Sequence, residues 1–443
     1  MLSAEQNDRL THTGPGTPMG AVMRRYWQPF ALVEELPDER PVRDIRVLGE
    51  DLVVFRDDRG RYGALARHCA HRAGDLAYGR CEDGGLRCPY HGWLYAVDGR
   101  CLEQPAEPAG STYHQRIRQP AYPCVARNGI VYGYMGGGEA PALPGFDWFD
   151  APASHSFAFK ALQRANWLQA VEGEIDPAHL SYLHRYLDDD AEGDGSYGFR
   201  QFLAAADESD VSVTAILREV TNPRLEIERT DFGVRIFALR DRGDVTYVRV
   251  TNYLFPHTAV VAIGDWTLVQ VHVPIDDASN WRYDVFYDFR APIDAAALRA
   301  EKLKTYEVPG YAPKRNMENR YGFSAAEQSA GTYAGVGYDF NIHDTMILEG
   351  QGAIQDRSRE NLAYTDMAII AARKMLTEAL DGAIPLPMTE AAEARLDHLV
   401  SIDAIAPAGA WRRAWVAKQI ERRARSVWAG GIAPARLRAL LES

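Results

Sequence analysis

The chain has no run approaching the roughly 18 apolar residues of a membrane-spanning helix, so no transmembrane segment is expected. Its opening, Met1-Leu2-Ser3-Ala4-Glu5-Gln6, lacks a basic stretch followed by an apolar one; no secretory leader is expected, and the cytoplasm is the default compartment. Positive charge is short. The 49 Lys and Arg stand against 61 Asp and Glu in 443 residues, and the net charge of −12 is a poor match for a nucleic-acid backbone. Cysteine is scarce too. Five residues, an odd number without a leader, argue against a disulfide framework. With 46% hydrophobic and 25% charged residues, disordered and fibrous classes are excluded, and the length allows two or three domains at about 100–200 residues each.

Turn and period signals organise what is present. Ser3 and Gln6 can form a capping box for a short helix, and Gly14-Pro15-Gly16-Thr17-Pro18 breaks it, giving an N-terminal helical segment over 1–24. Residues 25–140 read as short strands with hairpin turns at Gly49-Glu50-Asp51, Asp98-Gly99 and Asn128-Gly129, a small all-β domain. Gly136-Gly137-Gly138 and Pro141-Ala142-Leu143-Pro144-Gly145 mark its end. Residues 150–385 read as α+β, an antiparallel sheet with helices: helical over 163–188, strands from about Tyr197 to Pro274, and a helix capped by Thr365 or Asp366. A helical tail fills 386–443, and its basic stretch near 409–428 is expected to be a solvated face.

All five cysteines fall between positions 69 and 124. Cys69-Ala70-His71 and Cys88-Pro89-Tyr90-His91 each offer one thiolate and one imidazole. A zinc finger would group its cysteines apart from its histidines. Alternating ligands in a strand-rich context suit a Rieske [2Fe–2S] centre, two cysteines on one iron and two histidines on the other; structural zinc is the plainer alternative. Cys81, Cys101 and Cys124 are read as packing residues. Cys-Ala-His-Arg with Cys-Pro-Tyr-His-Gly-Trp resembles the Rieske domain of ring-hydroxylating oxygenases. Respiratory-type Rieske proteins carry an extra cysteine in each loop, and this chain does not.

A second cluster lies downstream. Asp176, His179 and His184 form Asp-x-x-His-x-x-x-x-His. The histidines would stand about 140° apart on an ideal helix, so they converge only if the helix bends or ends. Two histidines and a carboxylate suit non-haem Fe(II) and oxygen chemistry. Asp344, Glu349, Asp356 and Glu360 are the candidate carboxylates. The segment around them resembles the family's third-ligand stretch, and that resemblance selects Asp356, with Glu360 one turn on. It also makes Asp176 a bridge between His91 (or His71) of an adjacent subunit and His179.

Gly14-Pro15-Gly16-Thr17-Pro18-Met19-Gly20 and Arg24-Arg25-Tyr26-Trp27-Gln28-Pro29 resemble the start of the phthalate-dioxygenase-like branch, whose oxygenases contain α subunits only. The resemblance implies a Rieske domain, a helix-grip-like catalytic domain and a helical tail, in a homotrimer or hexamer. It implies a [2Fe–2S] cluster, a mononuclear non-haem Fe(II), and a separate NADH-dependent reductase with flavin and iron–sulfur groups. With dioxygen, such an enzyme hydroxylates or dihydroxylates a small aromatic, carboxylated compound; O- or N-demethylation is the alternative, and a non-catalytic electron carrier the remote one. Arg200, Arg235, Arg240 and Arg249 lie on or near strands, and each is expected to be solvent-facing or structurally paired; the resemblance to phthalate-type enzymes makes Arg240 the candidate for a substrate carboxylate. Tyr321, Phe323, Tyr333, Tyr338 and Phe340 are candidates for the pocket wall, with core packing the default reading.

Overall fold

The computed structural model describes residues 2–187, 209–264, 266–383 and 403–430. It divides into one compact unit of His12–Ala142 with Val273–Asp277, and another of Met1–Thr11, Leu143–His272 and Ala278–Ser443.

The first unit is built on two β-sheets, with one short α-helix at Pro18–Met23. Strands β1 (Trp27–Leu32), β2 (Val42–Val47), β3 (Glu50–Arg56), β4 (Tyr62–Ala66), β9 (Ala121–Arg127) and β10 (Ile130–Tyr134) form a sheet in the order β1-β10-β9-β4-β3-β2. Strands β5 (Arg80–Glu82), β6 (Gly85–Arg87), β7 (Leu94–Tyr95) and β8 (Cys101–Glu103) form a second. Asn128 and Gly129 turn β9 into β10 with φ of 48° and 78°, the left-handed pair that a two-residue hairpin requires. Phe55, Leu65, Leu86, Trp93 and Tyr95 pack with Cys69 and Cys88 in one core.

In the second unit, β11 (Ser156–Gln163), β12 (Arg224–Arg229), β13 (Gly233–Arg242), β14 (Val245–Leu254), β15 (Thr258–Ile263), β16 (Trp266–Asp276) and β17 (Ser279–Tyr287) run in the order β11-β17-β16-β15-β14-β13-β12. Among the described residues no helix is long and apolar enough to cross a membrane.

Four expectations change. The stretch 163–187 is not one helix: it comprises the end of β11, a helix over Trp167–Ile175 and a 3-10 turn over His179–Ser181; residue 188 lies outside the described residues. Pro177 ends the helix, because it drives Asp176 out of the α region to φ −82°, ψ 114°. A helix, Val213–Glu219, interrupts the stretch read as strands, and residues 197–208 lie outside the described residues. The opening helix Ala4–Thr11 has the expected capping box, Ser3 N to Gln6 Oε1 at 2.9 Å and Gln6 N to Ser3 Oγ at 3.1 Å. It belongs to the second unit, since Asn7 donates to Gln355 O and accepts from buried Arg357.

The tail is not wholly helical either. Ala404–Pro407 is a strand on Val245–Val248 of β14, along the half of that edge which β15, paired at Thr251–Leu254, leaves open. The helix Trp411–Ala424 is amphipathic: Trp411, Trp415, Val416 and Gln419 are buried, and Phe237 of β13 meets the two tryptophans at 4.9 and 5.0 Å between ring centroids. Residues 233–240 of β13 are therefore buried on both faces.

A buried ion cluster fixes the helix Trp167–Ile175. Glu172 accepts from Arg357 Nε (3.1 Å) and Nη2 (2.8 Å) and from Arg373 Nε (2.6 Å), while Arg373 also pairs with Glu360. Burial would raise the Glu172 carboxyl, but Arg357 and Arg373 outweigh it and hold it below the usual range. Glu172→Gln leaves Arg357 buried without its counter-charge. A loss of about 3 kcal/mol or more is expected in denaturant unfolding of the second unit, and a loss under about 1 kcal/mol would contradict the assigned role.

Candidate metal centres and substrate cavity

The two Cys/His loops of the first unit share one backbone design. Cys69 N donates to Gly74 O at 2.9 Å and Ala73 N returns to Cys69 O at 2.9 Å; Cys88 N donates to Trp93 O at 2.8 Å and Gly92 N returns to Cys88 O at 3.0 Å. Gly74 permits their close approach, since a Cβ there would lie 3.1 Å from Cys88 Sγ. The thiols of Cys69 and Cys88 are buried in one core, and Cys88 together with the Tyr95 hydroxyl, 3.1 Å from Cys69 Sγ, pulls the Cys69 thiol down. His71 and His91 lie 4.5 Å apart between ring centroids, half-buried, with His71 stacked on Trp93. The buried Nδ1 of His71 has no hydrogen-bond partner among the described residues. Two thiols inward, two imidazoles outward and an orphaned ring nitrogen fit a Rieske [2Fe–2S] group. Burial pushes the Cys81 and Cys101 thiols up, to about 12 and about 11, as befits packing residues.

In the second unit Asn166 caps the helix Trp167–Ile175 by accepting from Leu168 N at 3.1 Å. Beyond Pro177 the chain turns so that His179 Nε2 and His184 Nε2 stand 3.1 Å apart. Asp344, on the helix Phe340–Gly350, places Oδ1 3.2 Å from His184 Nε2 and 3.8 Å from His179 Nε2. The three donor atoms lie within 4.8 Å of one another, the one such group among the described residues.

This corrects the choice of Asp356. That side chain is exposed and accepts from Ser358 N at 3.0 Å and Ser358 Oγ at 2.5 Å. Glu360 is paired with Arg373, and Glu349 accepts from Arg164 N and the Tyr321 hydroxyl. Asp344, one of the four carboxylates weighed, is the one the fold brings to the histidines.

His343 was missed by sequence reasoning. Its Nε2 donates to Gly337 O at 2.7 Å, and burial keeps the ring neutral, so its Nδ1 is an acceptor. His184 Nδ1, 3.3 Å away, therefore carries the proton, and His184 Nε2 turns a lone pair toward Asp344 and His179. Burial holds His184 down at about 4, neutral and able to ligate. Asp176 accepts from Ala178 N at 2.7 Å and sets Oδ2 3.6 Å from His179 Nδ1. Glu174 is pushed up to about 8, by burial first and by nearby Asp344 second.

Arg240 does not line the cavity beside this triad. It is fully buried, donating to Val220 O (3.1 Å), Pro177 O (3.1 Å) and Ser181 Oγ (3.3 Å), so it holds the turn that carries His179. Arg235 is likewise buried, on Asn252 and Glu228. Arg200 lies outside the described residues. Arg249 does line the cavity, with Leu180, Val213, Val261, Ile263 and Phe340. Of the five candidate aromatics, Phe340 alone is among the described lining residues; Phe323 and Tyr333 are exposed, and Tyr321 is buried on Glu349.

Residues 26–123 match the Rieske [2Fe-2S] domain family and residues 133–428 the family described as LigXa C-terminal domain like. The phthalate 4,5-dioxygenase oxygenase subunit of Pseudomonas putida is 35% identical over 86% of this chain and 86% of its own. The 5,5'-dehydrodivanillate O-demethylase oxygenase subunit of Sphingobium is 32% identical over 86% and 81%. The terminal oxygenase of carbazole 1,9a-dioxygenase from Nocardioides aromaticivorans shares the fold, with a TM-score of 0.57 at 18% identity over 86% of this chain and 98% of that one.

The ligand correction has a direct check. Asp344→Ala is expected to cost about one iron per chain while leaving acid-labile sulfide unchanged, and Asp356→Ala to keep both. Iron loss in Asp356→Ala instead would reinstate Asp356.

Proposed function

Because this chain belongs to the Rieske oxygenases with a LigXa-like C-terminal domain, and so is an oxidoreductase with a [2Fe–2S] cluster and a mononuclear non-haem iron, we propose that it is the terminal oxygenase of a multicomponent system acting on a small aromatic compound. The observation that carries this is the meeting of His179, His184 and Asp344 at the wall of a cavity. A pure electron carrier has no use for two histidines and one carboxylate opening on such a space.

Cys69, Cys88, His71 and His91 hold the cluster, and His179, His184 and Asp344 the single iron. Together these groups supply one-electron transfer and dioxygen activation. The chain's own part is to hold them in register. His343 fixes the tautomer of His184, Asp176 orients His179, and Arg240 pins the intervening turn. The apolar wall of Leu180, Val213, Val261, Ile263 and Phe340 excludes water from the substrate.

Electrons come from NADH through a separate reductase, and the working assembly is a homotrimer or a hexamer. In it Asp176 links His179 to the partly exposed His91 or His71 of a neighbouring copy. The Asp176 side chain supports this reading, being 22% exposed while it faces His179. Asp176→Asn is expected to retain both metal groups and lose at least about 90% of turnover, read as NADH-coupled oxygen uptake; normal turnover would remove the bridge.

The O-demethylating relative favours a second outcome of the same chemistry. Oxidation at a methyl ether releases formaldehyde and ring dihydroxylation does not, so a formaldehyde assay on methoxylated and unsubstituted substrates separates the two.

A further inference from the structure

The cavity's own charges bear on its substrate. Two cavities adjoin the triad, and in the one that His184 also lines, Arg249 is the single guanidinium or ammonium among the described lining residues, Arg373 lining the other. It is already engaged: Nη1 donates to Asp403 Oδ2 at 2.9 Å and Nη2 to Ala262 O at 3.1 Å. Tyr247 also donates to Asp403 Oδ2, at 2.8 Å. Asp403 directly precedes the strand Ala404–Pro407 on β14, and pairing of that strand places Asp403 among the residues that line the cavity.

The other oxygen, Asp403 Oδ1, is buried and has no hydrogen-bond partner among the described residues, on a side chain only 10% exposed. A buried acceptor without a donor is costly, and a ligand's hydroxyl or N–H would satisfy it. A carboxylate would not. Glu174, Asp176, Asp344 and Asp403 already line this space, and even with a divalent iron on the triad and Glu174 uncharged the described lining has no positive excess. A carboxylated substrate would have to take Arg249 from Asp403, which Tyr247 also holds.

We infer that the cavity selects a neutral substrate bearing a hydroxyl or N–H group that donates to Asp403 Oδ1, and discriminates against carboxylated aromatics. This rests on the cavity being the substrate site of the proposed oxygenase, and it replaces the carboxylated compound expected when Arg240 was the candidate anchor.

The test is equilibrium binding by titration calorimetry, on the full metal-loaded chain without reductase, of three probes matched in size: benzyl alcohol, benzyl methyl ether and benzoate. Benzyl alcohol is expected to bind at least about tenfold tighter than either other probe, and Asp403→Asn to erase or reverse its lead over benzoate by freeing Arg249. Equal or tighter benzoate binding by the unaltered chain would overturn the inference. So would equal binding of the ether, no binding of the alcohol at millimolar concentration, or an unchanged preference in Asp403→Asn. Because no turnover is read, failure of the oxygenase reading shows separately, as absent oxygen uptake with any substrate.

Discussion

The site depends on where one helix stops. His179 and His184 are five residues apart, a spacing that sends two side chains to different sides of a continuous α-helix. Pro177 removes that obstacle. It forces Asp176 into an extended conformation, the helix closes at Ile175, and the following 3-10 turn brings both Nε2 atoms to 3.1 Å. Arg240 bonds to Pro177 O and Ser181 Oγ on either side of His179, so the break is held rather than loose.

Such a turn has to be anchored, and the anchor is electrostatic. The preceding helix is buried almost all round, and its Glu172 draws Arg357 and Arg373 from beyond the Asp344 helix. Asn7 of the opening helix joins Arg357. Segments far apart in sequence thus meet on one carboxylate, and removing it leaves charge stranded in a low-dielectric interior. The same economy recurs at the cavity, where Asp403 from the tail balances Arg249.

The parts of the site that sequence made legible are local ones. Each cluster loop places its thiol and imidazole two or three residues apart, and the histidine pair with Asp176 sits in one short stretch. The third carboxylate could not be read this way, because Asp344 reaches His184 across the fold and four acids in one segment offered equal chemistry. Arg240 and Arg249 lie on adjacent antiparallel strands, and alternation alone does not tell which side chain meets the cavity when helices cover both faces. The tail strand was hidden because its reason is the open half-edge of β14, a property of the assembled sheet.

The central claim is that His179, His184 and Asp344 hold the mononuclear iron. A crystal of the iron-loaded protein, with anomalous data collected either side of the iron absorption edge, tests it most directly. An isolated iron peak is expected among His179 Nε2, His184 Nε2 and Asp344 Oδ1, apart from the paired peak at Cys69, His71, Cys88 and His91. An iron held by Asp356 or Glu360, or no iron beyond the cluster, would contradict it.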